Sequence, residues 1–141
     1  MPADPHPPAA GAAAARRLIL VVEDDLHSTR VAVATLEHAG FRCVSAASAT
    51  EALEALRRER PCLVLMDLNL PGLDGLQLTR WMKDDAWTRD IPVLAVTAYA
   101  LAGDADIARQ AGCAGYVAKP YDPAHLVGEA RRLLDGAREA S

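Results

Sequence analysis

The amino-acid sequence predicts an α/β fold, a parallel sheet covered by helices on both faces, and two observations carry that prediction. Short continuous apolar runs recur between longer segments of helical spacing, and no stretch shows the strict alternation of a half-solvated antiparallel strand. Strands 18–22, 62–66, 93–96 and a weaker 116–118 are the apolar runs, with 42–46 as an edge strand. Between the first two strands, Val31, Ala34, Leu36 and Ala39 fall at helical intervals and stop at Gly40, a residue suited to a helix C-terminus. A second helix spans 50–58, opened by Ser48 or Thr50 as cap and closed before Pro61. Further helices follow at 76–84, 103–111 and 123–135. Regular β-α alternation of this kind buries a parallel sheet between two helical layers.

Composition narrows the functional classes. A chain of 141 residues fits one domain. Its 51% hydrophobic and 24% charged residues match a globular protein that packs a core. Fifteen basic against nineteen acidic residues give a net charge of -4, the wrong sign for holding nucleic acid by bulk electrostatics. No apolar run approaches the ~20 residues of a membrane helix. Cys43, Cys62 and Cys113 are widely spaced and form no zinc-type pair, so they are expected as buried thiols in a reducing compartment, the cytoplasm. Residues 1–16 are rich in Ala and Pro and are expected to form a disordered tail, with the domain at 17–137 and a short C-terminal tail at 138–141. Ala9 to Ala15 does not read as a signal peptide, because Arg16 and Arg17 follow the apolar part and prolines precede it.

Right-handed crossovers align the carboxyl ends of parallel strands along one edge, where open α/β sheets bind ligands. The residues that follow the runs are Glu23, Asp24 and Asp25 after the first strand, Asp67 after the third, Thr97 after the fourth and Lys119 after the fifth. Carboxylates gathered in one crevice repel by roughly 1 kcal/mol per pair in water and about 4 at an effective dielectric of 20. A hard divalent cation relieves that repulsion, and Mg²⁺ suits carboxylates with a carbonyl oxygen and retained waters. A carboxylate in such a setting can attack phosphorus, with a metal and a lysine neutralising the phosphoryl oxygens and a hydroxyl donating to one of them. Asp67, Lys119 and Thr97 match nucleophile, cation and hydroxyl.

The motifs LILVVEDD (18–25), LVLMDLNLPGLDGL (63–76), IPVLAVTAYA (91–100) and GCAGYVAKP (112–120) together resemble the response-regulator receiver domains of two-component signalling. Thr97 and Lys119 follow Asp67 by 30 and 52 positions, as in that family. Residues 81–120 are most similar to stand-alone receivers of the DivK type. The resemblance implies a flavodoxin-like (βα)5 three-layer sandwich with parallel strand order 2-1-3-4-5, the order of a chemotaxis receiver of the same family. It implies that Asp67 accepts phosphate from a sensor histidine kinase or a histidine phosphotransfer protein. Mg²⁺ would be held by Asp24 directly, by Glu23 mostly through water, by Asp67, and by the Asn69 backbone carbonyl. Asp25 is an acidic neighbour the family does not usually need.

By the same resemblance Lys119 pairs with the phosphoryl group and precedes a cis peptide at Pro120. Thr97 moves toward the phosphoryl group on activation and Tyr116 follows it inward. Ala98 leaves access to the site, and Asn69 and Tyr99 tune phosphate lifetime. Output passes to a protein effector through the fourth helix, fifth strand and fifth helix of a monomer or weak dimer, or by onward transfer to a phosphotransfer histidine. The chain is then no enzyme beyond slow self-phosphorylation from small donors and autodephosphorylation. A Mg²⁺-dependent aspartyl phosphatase of the haloacid-dehalogenase type is disfavoured, because its second Asp is here Asn69, which cannot shuttle a proton.

Remaining residues read as structural. His27, His38 and His125 have no ligand spacing and are expected near the surface. Arg57, Arg58 and Arg60, with Arg131 and Arg132, read as solvated helix faces. Trp81 and Trp87 are expected to cover the core edge near the third helix, and Pro71, Gly72, Asp74 and Gly75 to shape the turn after Asp67.

Overall fold

The structure is a computed structural model, and it describes residues 17–69, 75–98 and 103–140. The tail at 1–16, the turn residues Pro71, Gly72 and Asp74, and Tyr99 lie outside the described residues. The elements alternate as β1 (Leu18–Val22), α1 (Leu26–His38), β2 (Arg42–Ala46), α2 (Ala49–Arg58), β3 (Leu63–Asp67), α3 (Gly75–Asp84), β4 (Val93–Thr97), α4 (Asp104–Ala111), β5 (Gly115–Ala118) and α5 (Pro123–Ala140). The five strands form one parallel sheet in the order β2-β1-β3-β4-β5, the flavodoxin-like order.

Alternate residues of each central strand face opposite layers. Leu20 and Val22 of β1, Val64 and Met66 of β3, and Val93 and Ala95 of β4 pack with Leu56 of α2, Leu78 and Met82 of α3 and Ala108 of α4. Ile19 and Val21, Leu63 and Leu65, and Leu94 and Val96 pack with Leu36 of α1 and Leu126, Ala130 and Leu133 of α5. The central strands β1, β3 and β4 are buried along their whole length, whereas β2 is half-exposed, as an edge strand should be.

The local signals acted as expected at most helix ends. Gly40, at φ +100°, turns the chain out of α1 as its N–H donates to the Glu37 carbonyl (3.0 Å). Ser48, not Thr50, caps α2: its hydroxyl accepts from the Glu51 N–H (3.2 Å), and the Glu51 carboxylate accepts from the Ala47 N–H (2.9 Å).

Several expectations need correction. β3 and β4 run one residue further than the apolar runs, so Asp67 and Thr97 are the last residues of their strands and not the first beyond them. Ladder pairing carries the polar residues with it, Asp67 opposite Val96 and Thr97 opposite Ala118. The inward face of α1 is Ala32 and Leu36 with Val33, while Val31 and Ala34 are exposed. The helix phase depends on the angle at which α1 leaves the β1 loop, which spacing does not encode. α5 continues through Ala140, beyond residue 135. Trp81 and Trp87 are 42% and 56% exposed and cover little core. Trp87 instead ties the end of α2 to the loop after α3, its indole N–H donating to the Leu56 carbonyl (3.2 Å) beneath the Arg60 guanidinium. Arg60 is thus engaged with that indole, whereas Arg57 and Arg58 are solvated.

Only Cys113 of the three free cysteines is fully buried; Cys43 and Cys62 are half-buried. Burial nevertheless pushes all three thiols up, Cys43 to about 12. Thiolate is the reactive form, so the folded protein at pH 7.5 should react with iodoacetamide far more slowly than the urea-unfolded chain, whose three thiols should all label. Mass spectrometry of timed samples checks this, and rapid labelling of native Cys43 would contradict the burial.

Candidate functional site at the carboxyl edge of the sheet

β1, β3, β4 and β5 stand side by side and end together, which brings Glu23, Asp67, Thr97 and Lys119 to one edge. The outer strand β2 contributes through its backbone, the Ala46 carbonyl accepting from the Glu23 N–H (2.9 Å). Glu23, Asp67 and Thr97 are buried polar residues. Glu23, Asp24 and Asp67 each offer a carboxylate oxygen, all within 4.8 Å of one another, with Asp24 exposed at the mouth.

Lys119 binds this set together. Its ammonium forms a close ion pair with Glu23 Oε1 (2.5 Å) and lies 3.9 Å from Asp67 Oδ2. The other Glu23 oxygen accepts from the Asp25 N–H (3.1 Å). Burial raises the Glu23 carboxyl above the usual range, and the hydrogen bonds from Lys119 and Asp25 oppose that shift without cancelling it. For Lys119 burial acts downward, but the Glu23 hydrogen bond and the charges of Asp67 and Glu23 outweigh it, so its pKa is raised. The ammonium is therefore charged at neutral pH.

Asp25 has a structural task. It is the N-cap of α1, its carboxylate accepting from the Ser28 N–H (2.8 Å), a bond that holds its carboxyl below the usual range. Of the three consecutive acids, Glu23 and Asp24 thus belong to the crevice and Asp25 to the helix that follows.

Asn69 is engaged twice. Its backbone N–H donates to Asp67 Oδ1 (2.9 Å), and its side-chain amide donates to the Thr97 hydroxyl (2.8 Å). Ala98 is exposed beside the site, and Tyr116 is half-buried against the layer formed by α2, α3 and α4. The Lys119–Pro120 bond is cis, and the Lys119 N–H donates to the Thr97 carbonyl (2.8 Å). Tyr121 lines the floor of the crevice with Ser28, Ala32 and Val96; sequence reasoning missed it, since nothing but its adjacency to Lys119–Pro120 marks it.

Gly75 has a role that turn chemistry does not capture. It opens α3 directly behind Asp67, and a Cβ there would lie 2.5 Å from the Asp67 carbonyl oxygen and 2.9 Å from the Leu68 Cα. Thr79 braces the first turn of α3, its buried hydroxyl donating to the Gly75 carbonyl (2.8 Å).

The chain belongs to the response-regulator receiver domain family: the family's model matches residues 19–131. Among curated relatives, the polar-differentiation response regulator DivK of Brucella anthropi is 38% identical over 116 residues, covering 82% of this chain and 94% of that protein. Two solved structures share the fold closely. A response regulator from Chloroflexus aurantiacus superposes with a TM-score of 0.82 at 30% identity, covering 85% of this chain and 98% of the other. The receiver domain of a sensor histidine kinase from Pseudomonas aeruginosa superposes with a TM-score of 0.79 at 36% identity, covering 86% and 99%, and it holds a magnesium ion in its active-site cleft.

A Gly→Ala change inside a helix ordinarily stabilises by up to ~1 kcal/mol. At Gly75 the clash is with backbone and should win, so Gly75→Ala is expected to destabilise by about 1–3 kcal/mol. Gly128→Ala in α5, where nothing lies within 4 Å of the added Cβ, should stabilise. Urea denaturation of both variants reads the two opposite signs, and stabilisation by both would remove the packing constraint behind Asp67.

Proposed function

We propose that this chain is a phosphorylatable receiver in which Asp67 is the phosphoacceptor, supplied by a sensor histidine kinase or a histidine phosphotransfer protein. The observation that carries the proposal is the position of the Asp67 carboxylate, buried at the end of β3 with Oδ2 facing the Lys119 ammonium at 3.9 Å, beside Glu23 and Asp24. Asp67 Oδ1 is held by the Asn69 N–H, which fixes the carboxylate plane before any donor arrives.

The donor set is oxygen-only and acidic, which fits a hard divalent cation such as Mg²⁺. Glu23, Asp24, Asp67 and the Asn69 backbone carbonyl would hold it. When bound, the ion supplies positive charge that offsets both the clustered carboxylates and the incoming phosphoryl oxygens. Lys119 is the protein's own positive charge at the same place, drawn to Glu23 in the unphosphorylated state and available to a phosphoryl oxygen beside Asp67. Thr97 offers a hydroxyl donor from the neighbouring strand. In the transfer, an Asp67 oxygen forms a bond to phosphorus as the bond to the donor's nitrogen or acetate oxygen breaks, leaving an acyl phosphate and a free imidazole or acetate.

The added charge on Asp67 changes what Thr97 and Lys119 contact, and the effect passes to Tyr116 and the face of α4, β5 and α5. Ile107 is an exposed apolar residue on α4, suited to a protein effector at that face. Ala98 leaves the phosphoryl group approachable. The Asn69 amide carries no titratable proton, which speaks against a dedicated phosphatase of the aspartyl-nucleophile class. Work in the cytoplasm as a monomer or weak dimer fits the same reading, and no helix among the described residues is long and apolar enough to cross a membrane.

With Mg²⁺ and acetyl phosphate the protein should gain one hydroxylamine-labile phosphate by intact mass, and Asp67→Asn should gain none; equal labelling of the variant would place the acceptor elsewhere. Mg²⁺ alone, at ten times its dissociation constant, should stabilise by about 1.4 kcal/mol through linkage, a rise in melting temperature of roughly 3–7 °C. Asp24→Asn should lose most of that rise, and an unchanged wild-type melting temperature in millimolar Mg²⁺ would argue that the carboxylates do not form a cation site.

A further inference from the structure

We infer that Asn69 is a positioning residue for Thr97, its side-chain amide tethering the Thr97 hydroxyl in the unphosphorylated protein and releasing it when Asp67 is occupied. The inference rests on Asp67 being the phosphoacceptor and deepens that assignment. Two bonds define the arrangement. The Asn69 N–H donates to Asp67 Oδ1 at 2.9 Å, closing a side-chain turn two residues long, and this aims the Asn69 side chain across the strand end toward β4. There its amide donates to Thr97 Oγ1 at 2.8 Å.

Thr97 lies one position past Val96, the register partner of Asp67, and it is the buried hydroxyl at this end of β4. A phosphoryl group on Asp67 would introduce three strong acceptor oxygens next to it. Thr97 Oγ1 accepts from Asn69 and keeps its own O–H to donate; in the proposed switch its movement toward a phosphoryl oxygen draws Oγ1 away from the Asn69 amide, which stays fastened to Asp67 through its backbone. A β-branched side chain has few allowed χ1 positions, so the hydroxyl moves between discrete positions, and the Asn69 contact belongs to the resting one. Asn69 therefore favours the resting rotamer, and its hydrogen bond adds weight to the resting side of the equilibrium between resting and occupied states.

Asn69→Ala removes the amide while keeping the backbone N–H on Asp67 and the backbone carbonyl, which makes the test selective. Titration with beryllofluoride, a phosphoryl mimic, in saturating Mg²⁺ should show binding about fivefold tighter in Asn69→Ala than in wild type, the value of one typical neutral hydrogen bond. The gain should persist in a Thr97→Ser background and vanish in Thr97→Val. In metal-free protein, NMR couplings should show one Thr97 χ1 rotamer in wild type and averaging in Asn69→Ala. Unchanged affinity, an equal gain in the Thr97→Val background, or an unaltered rotamer would each overturn the tether. Failure of wild-type protein to bind beryllofluoride would instead count against Asp67 as phosphoacceptor, and the metal-free rotamer measurement would still decide the tether.

Discussion

Two buried acids, Glu23 and Asp67, end adjacent strands and share the ammonium of Lys119. Two like charges a few ångströms apart at an effective dielectric near 20 cost about 4 kcal/mol, more than a third of the stability of many small domains. The lysine makes the pair tolerable by closing an ion pair on one acid while remaining within 4.0 Å of the other. The compensation is unequal, tight on Glu23 and loose on Asp67.

The sheet is what makes such sharing possible. Parallel strands place every carboxyl end on the same edge, and the order of β1, β3, β4 and β5 puts the four contributing strands next to one another. β2, outermost on the far side, holds the Glu23 backbone in place through the Ala46 carbonyl. Behind the site, α3 approaches so closely that only a glycine fits at its first position, and the Thr79 hydroxyl fastens that helix to its own first turn. The site thus has close backbone packing behind it and side-chain hydrogen bonds from Lys119 and Asn69 joining the strand ends.

Much of this was legible from residue order. The fold class followed from apolar runs separated by helical segments, and Asp67, Thr97 and Lys119 were marked because each stands at the end of a run. The second of two signals at the start of α2 was misleading, since Ser48 and Thr50 are both capping residues and only the backbone geometry selects Ser48. Asp25 could not be separated from Glu23 and Asp24 by composition. Its assignment as a helix cap depends on where the Ser28 N–H points.

Residue order by itself determined the number and type of elements, the edge at which the polar groups gather and the chemistry those groups can support, because period and strand-end position are local properties of the chain. Tertiary structure alone decided which face of α1 turns inward, that Lys119 closes on Glu23 in preference to Asp67, that Gly75 packs against the Asp67 backbone, and that Asn69 reaches Thr97. Each of these is a distance between groups far apart in sequence or on separate elements. Such distances are set by how strands and helices pack, and no local pattern carries them.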